Sequence, residues 1–229
     1  MKYLLNCRSF ISLMVLFSFF DNFEMGTDEI FYDYWFKVVF VGDAGVGKTQ
    51  IITKFVKNEF LNEYETTLSA CFYSKFICWK NKKVNLQLWD TSGQEKYRSI
   101  TKIFCKDSQL IVLVYAINDK KSFENIQNWV NDVRNINEDA KFLLVGNKCD
   151  LEERKEVPTE VAKNYAKENK MEFIEVSAKD GTNIDKNMFN PSLSKLLEEY
   201  LLLDNQYIDG IKFNKTSCWS EYCSCCPCL

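Results

Sequence analysis

Gly42-Asp43-Ala44-Gly45-Val46-Gly47-Lys48-Thr49 is the stretch that most narrows what this chain can become. It has the spacing Gly-x-x-x-x-Gly-Lys-Thr of a phosphate-binding loop. Phe36 to Val41 before it is β-branched and aromatic, as a buried strand is, and Thr49 to Asn58 after it carries apolar residues at helical spacing. Strand, glycine turn and helix start thus come in the order a phosphate cradle needs. Gly42, Gly45 and Gly47 let the backbone curl until several N–H groups face one polyphosphate at the positive end of the helix. Lys48 then reaches the β and γ phosphates, and the Thr49 hydroxyl is offered to Mg²⁺.

From this loop onward, strand-like and helix-like runs alternate. The predicted strands are Trp35 to Val41, Ala70 to Trp79, Lys83 to Trp89, Leu110 to Ala116, Phe142 to Gly146 and Glu172 to Val176. The predicted helices are Lys48 to Asn58, Tyr97 to Phe104, Ser122 to Ile136, Thr159 to Asn169 and Asn187 to Leu202. Lys80, Asn81 and Lys82 separate two strands by a hairpin-length link, so one strand runs antiparallel in an otherwise parallel sheet. The expectation is an α/β fold of three layers: six strands with about five helices packed on both faces.

Length and composition exclude several classes. The 229 residues suit one domain with tails. A net charge of −3, with both signs interspersed, leaves no basic patch for nucleic acid. There is no histidine, so catalysis must rest on carboxylates, amides, lysine, backbone N–H groups and a bound ion. Five of the ten cysteines crowd between Cys218 and Cys228 and the rest are scattered, which fits a reducing compartment and a modified tail better than a disulfide framework.

Downstream segments choose the chemistry. Asp90 ends a strand and is followed by Thr-Ser-Gly-Gln-Glu; an aspartate there suits the magnesium shell, mainly through water. Gly93 can offer its N–H to a γ-phosphate, and Gln94 can orient an attacking water. Asn147-Lys148-Cys149-Asp150 and Ser177-Ala178-Lys179 each follow a strand, so both emerge at the carboxyl edge of the sheet. The Asp150 carboxylate can accept from N1–H and the exocyclic amine of guanine, a donor pair that adenine lacks.

Together these four segments resemble the Ras superfamily of small GTPases. Leu-Gln-Leu-Trp-Asp-Thr (86–91), Lys-Tyr-Arg-Ser-Ile (96–100), Leu-Val-Tyr-Ala-Ile (113–117) and the double cysteine near the end resemble the Rab family within it. The resemblance implies a slow GTP-to-GDP hydrolysing switch that recruits effectors in membrane traffic, with Gln94 and Lys48 catalytic. It implies that Thr67 binds Mg²⁺ when the γ-phosphate is present; Thr66 is its neighbouring rival. It places Phe60 on the guanine with Asn147, Lys148, Asp150, Ser177, Ala178 and Lys179, and turns Phe72, Trp89 and Phe104 toward effectors. Phe72 and Trp89 would be equally ordinary as core residues of strands. The partners implied are an exchange factor, an activating protein, effectors and a prenyl-protein carrier, at the cytosolic face of an intracellular membrane.

Departures from the family pattern are Ala44, Ser92 in place of the usual alanine, and Leu-Ser-Ala-Cys-Phe (68–72) where many Rabs carry Ile-Gly-Val-Asp-Phe. The first two keep open a protein that holds GTP without useful turnover. At the C-terminus, Cys225-Cys226 reads as a double prenylation site, and Cys226-Pro-Cys-Leu as a single one. Residues 1–24, with the apolar run Phe10 to Phe20, read as a leader or a mis-assigned start before Met25, with a signal sequence or membrane anchor as the alternative. The GTPase domain is expected over 25–203 and a flexible tail over 204–229.

Overall fold

A computed structural model of the chain describes residues 32–61, 67, 70–79 and 81–207. The backbone divides into units 1–32 and 33–229, and the second is described below. Its strands are β1 (Tyr34–Val41), β2 (Cys71–Trp79), β3 (Lys82–Asp90), β4 (Leu110–Ala116), β5 (Lys141–Asn147) and β6 (Glu172–Glu175), each end within one residue of expectation. They form one six-stranded sheet in the order β2-β3-β1-β4-β5-β6. The β2–β3 pair is antiparallel and the other pairs are parallel, as the hairpin link requires.

The α-helices are α1 (Lys48–Lys57), α2 (Arg98–Cys105), α3 (Lys120–Glu124), α4 (Ile126–Arg134), α5 (Thr159–Glu168) and α6 (Asn190–Tyr207). Alternation along β1 splits the core in two. Phe36, Val38 and Phe40 meet α1 through Ile51, Ile52 and Phe55 and α6 through Leu193, Leu196 and Leu197. Val39 and Val41 belong to the opposite face, with Trp129, Val130 and Val133 of α4 and Ala162 and Ala166 of α5. Every residue of β4 is buried because it lies between both layers, which is why it reads as an unbroken apolar run.

The single helix expected over Ser122 to Ile136 is two, so the described residues hold six α-helices rather than about five. The break at Asn125 is a one-residue turn whose backbone stays right-handed (φ −73°, ψ −13°) and whose carbonyl accepts from both Asn128 and Trp129, a local tightening to three-residue spacing. Asp119 caps this pair by accepting from the Ser122 N–H at 3.2 Å. A 3-10 turn over Glu95–Tyr97 precedes α2, and another over Lys186–Phe189 precedes α6, which begins later than predicted and runs to Tyr207. Pro191 sits in the first turn of α6, where its missing N–H costs the helix nothing. Among the described residues no helix is long and apolar enough to cross a membrane.

Parallel pairing brings the strand ends to one edge. Asp90 lies level with Phe40, and Asn147 with Ala116, so the loops after β1, β3, β5 and β6 share that edge.

Candidate functional site

Residues 42–47 form the connection from β1 to α1. Gly47, at φ 96°, turns the chain directly into α1, and a Cβ there would lie 2.3 Å from Asn147 Nδ2. Lys48 is 6% exposed and its ammonium donates to the carbonyls of Gly42 and Asp43, both at 2.8 Å. Burial pushes its pKa down to about 8, against the opposing pull of Asp90 and Asp43. Val46 buries its side chain in the core, whereas Ala44 and Gly45 are exposed at the loop's rim. The Asp43 carboxylate is occupied elsewhere: it accepts from Asn125 Nδ2 at 2.6 Å and from the Trp129 indole at 2.9 Å, so Asp43 faces the cradle through its backbone alone.

Thr49 is the junction of three segments. Its hydroxyl donates to Asp90 Oδ2 at 2.7 Å and lies 3.0 Å from the Thr67 hydroxyl. Of the two candidate threonines, Thr67 lies beside Thr49 and Thr66 lies outside the described residues. Asp90 is fully buried, its Oδ1 has no hydrogen-bond partner, and burial raises its pKa despite the Thr49 bond and the Lys48 charge. A buried carboxylate oxygen left open beside two hydroxyls is a hard-oxygen donor set that fits Mg²⁺. Among the described residues no cluster of three or more histidine, cysteine or carboxylate ligands occurs, so a cation here would draw its remaining ligands from phosphate oxygens and water. Gly93 closes against the loop: a Cβ on it would sit 2.4 Å from the Asp43 carbonyl and 2.5 Å from Ala44 N.

Beside the loop lies a cavity of about 370 Å³ lined by Gly45, Gly47, Gln50, Phe60, Leu61, Asn147, Lys148, Asp150, Leu151, Ala178 and Lys179. Asp150 Oδ1 accepts from the Ser177 hydroxyl at 2.7 Å, which orients the carboxylate. Asn147 works as a strut: its Nδ2 donates to the Val46 carbonyl at 2.8 Å and its Oδ1 accepts from the Ala178 N–H at 3.2 Å. Lys148, in the left-handed region at φ 68°, donates to the Gly45 carbonyl at 2.9 Å. Of the residues expected at the base, Phe60, Asn147, Lys148, Asp150, Ala178 and Lys179 line this cavity, and Ser177 stands behind Asp150.

A loop with a buried lysine and a buried aspartate, beside a cavity that holds a hydroxyl-braced carboxylate, is the arrangement the sequence segments call for. The sequence matches the Ras family over residues 37–198. The chain belongs to the Ras family. It is 41% identical over 172 residues to Ras-related protein Rab-13 of Canis lupus familiaris, covering 75% of this chain and 82% of that one. It is 39% identical over 185 residues to Ras-related protein rab-11.1 of Caenorhabditis elegans, covering 80% and 86%, and 38% identical over 181 residues to Ras-related protein SEC4 of Candida albicans, covering 79% and 85%. These relatives put it in the Rab group: a GTP-binding, GTP-hydrolysing switch of membrane traffic. Ras-family GTPases use GTP and GDP and generally Mg²⁺.

In this Rab, Phe72, Trp89 and Phe104 pack in series, the first pair edge-on and the second tilted, with ring centroids 5.2 and 5.1 Å apart. Phe72 is 51% exposed, and Ile103 on the same helix as Phe104 is 70% exposed, so the series reaches the surface rather than filling the core. Lys37 holds the underside, its ammonium 5.8 Å from the Trp89 ring and bonded to the Lys106 carbonyl at 2.8 Å. Arg98 is committed to structure: it pairs with Asp132 and stacks 4.6 Å from the Trp129 ring. Burial raises the Asp132 pKa, but hydrogen bonds from Lys102 and Arg98 prevail and hold it below the usual carboxylate range. Ser92 is 3% exposed, and its hydroxyl accepts from the Gln94 N–H at 3.3 Å, so the departure from alanine braces the turn that carries Gln94. Two residues went unread in the sequence. Gln50, on the buried side of α1, pairs with Leu61, and Asn125 ties α4 to the loop; a polar residue at a core-facing helical position was the available signal for the first. Cys225 and Cys226 and residues 1–24 lie outside the described residues.

Proposed function

We propose that this Rab binds Mg²⁺–GTP with the phosphates in the 42–49 loop and the base in the adjoining cavity, and reports the γ-phosphate through Thr67 and Gly93. The observation that carries this reading is the Thr49 hydroxyl, held between Asp90 and Thr67. Thr49 and Thr67 would ligate Mg²⁺ directly and Asp90 through water; the ion, when bound, neutralises charge on the β and γ phosphates. Lys48 exchanges its two carbonyl partners for phosphate oxygens and stabilises the same charge. Gln94 orients a water in line with the γ-phosphate, and the Gly93 N–H donates to that phosphate. Loss of the γ-phosphate removes the reason for Thr67 and Gly93 to stay, and the surface around Phe72, Trp89 and Phe104 changes with them. Effectors, an exchange factor and an activating protein are the partners this cycle needs.

Thr49→Ala is expected to raise the Mg²⁺ concentration for half-maximal retention of labelled GDP by at least about tenfold, the scale on which even outer-shell changes weaken metal sites. Chelation should then release nucleotide from the unmodified protein, and an identical Mg²⁺ dependence in the variant would count against the assignment.

The tail supplies attachment in this reading. Two prenyl chains on Cys225 and Cys226 suit stable anchoring, because a single lipid binds marginally and Lys212 and Lys215 make no polybasic patch. A carrier for the prenylated form and residence at the cytosolic face of an intracellular membrane follow. Changing both cysteines to serine should turn a membrane pattern into a diffuse cytosolic one; an unaltered pattern would reject lipid anchoring at these residues.

A further inference from the structure

Gln50 follows Thr49 directly and is 8% exposed, on a helix whose next two residues, Ile51 and Ile52, fill the core. Its carboxamide pairs both ways with one peptide unit: Nε2 donates to the Leu61 carbonyl at 2.9 Å, and Oε1 accepts from the Leu61 N–H at 3.0 Å. Residues 59–61 lie in no helix or strand, and among the described residues Gln50 is the hydrogen-bonding partner of Leu61. Phe60 and Leu61 are 38% and 44% exposed, and both line the cavity that holds Asp150. One side chain thus couples the helix that starts the phosphate loop to the aromatic wall of the base cavity.

We propose that Gln50 is a positioning residue for nucleotide release: by fixing Leu61 it keeps Phe60 against the base and slows dissociation of GDP and GTP. The inference rests on the assignment of this cavity to guanine made above. For the base to leave, Phe60 must swing away, and that opening breaks the carboxamide–peptide pair. Two hydrogen bonds at a nearly buried site oppose the opening, a local unfolding step whose frequency sets the release rate. A glutamine that merely satisfied its own buried amide would have no such link to Phe60.

The test is release of N-methylanthraniloyl-GDP from the full chain in Mg²⁺, chased with excess GDP. Gln50→Met keeps the length and volume of the side chain and removes both bonds; release is expected about tenfold faster. Gln50→Glu keeps the acceptor for the Leu61 N–H but sets a second oxygen against the Leu61 carbonyl, and should be faster by a similar factor. In a Phe60→Ala background, Gln50→Met should add less than about a twofold change, because the coupling has lost its far end. Unmodified release rates in the Met and Glu variants would overturn the proposal. So would equal acceleration in both backgrounds, the signature of a generally loosened α1. Failure of the unmodified protein to retain labelled GDP would instead overturn the guanine assignment beneath it.

Discussion

Asp150→Asn is expected to weaken GTP and GDP binding by about a hundredfold or more, the worth of one to two charge-assisted hydrogen bonds. Ser177 already donates to Oδ1 at 2.7 Å and orients the carboxylate, which keeps acceptor capacity for a base in the proposed mode. An ionised carboxylate meets both guanine donors with lone pairs; an asparagine either turns its NH₂ toward a donor or keeps a single weaker acceptor. Competition of labelled GDP against GTP measures the loss. Inosine triphosphate, which lacks the exocyclic amine, should show a smaller penalty from the same substitution. Equal GTP affinity in variant and unmodified protein would reject Asp150 as the base-reading residue.

Gln94→Leu should lower single-turnover hydrolysis by about a hundredfold, the lower end of what one positioned group contributes to proton transfer and orientation. The neighbouring geometry argues that the loss will fall on the chemical step rather than on binding. Gly93 packs against the loop through backbone, and Ser92 braces the Gln94 N–H, so exchanging the side chain leaves the turn standing. Nucleotide affinity should stay near the unmodified value while the GTP-bound fraction rises. Phosphate release at the unmodified rate would exclude Gln94 as the water-orienting group.

Strand ends were legible to one residue because β4 and its neighbours are buried on both faces, which leaves continuous apolar runs bounded by polar loops. The break at Asn125 was not legible, since its dihedrals are helical and the change lies in which N–H its carbonyl accepts. The aromatic series was ambiguous for a similar reason: a tryptophan and a phenylalanine on strands suit a core or a surface equally, and only the folded chain shows Phe72 half exposed.

The local chemistry of the proposed nucleotide site was set by the sequence itself: glycines where φ is positive, a lysine and a threonine at the helix start, and polar segments at strand ends. These are properties of short stretches, and their spacing alone constrains the backbone. Tertiary structure decided how the stretches are locked together. Asp43 with Trp129, Asn147 with Val46, and Thr49 with Asp90 and Thr67 are pairs far apart in the chain, and Gln50 reaches Leu61 across a loop. Such hydrogen bonds carry no periodicity and depend on which strand ends the sheet order brings side by side, so they appear only once the chain has folded.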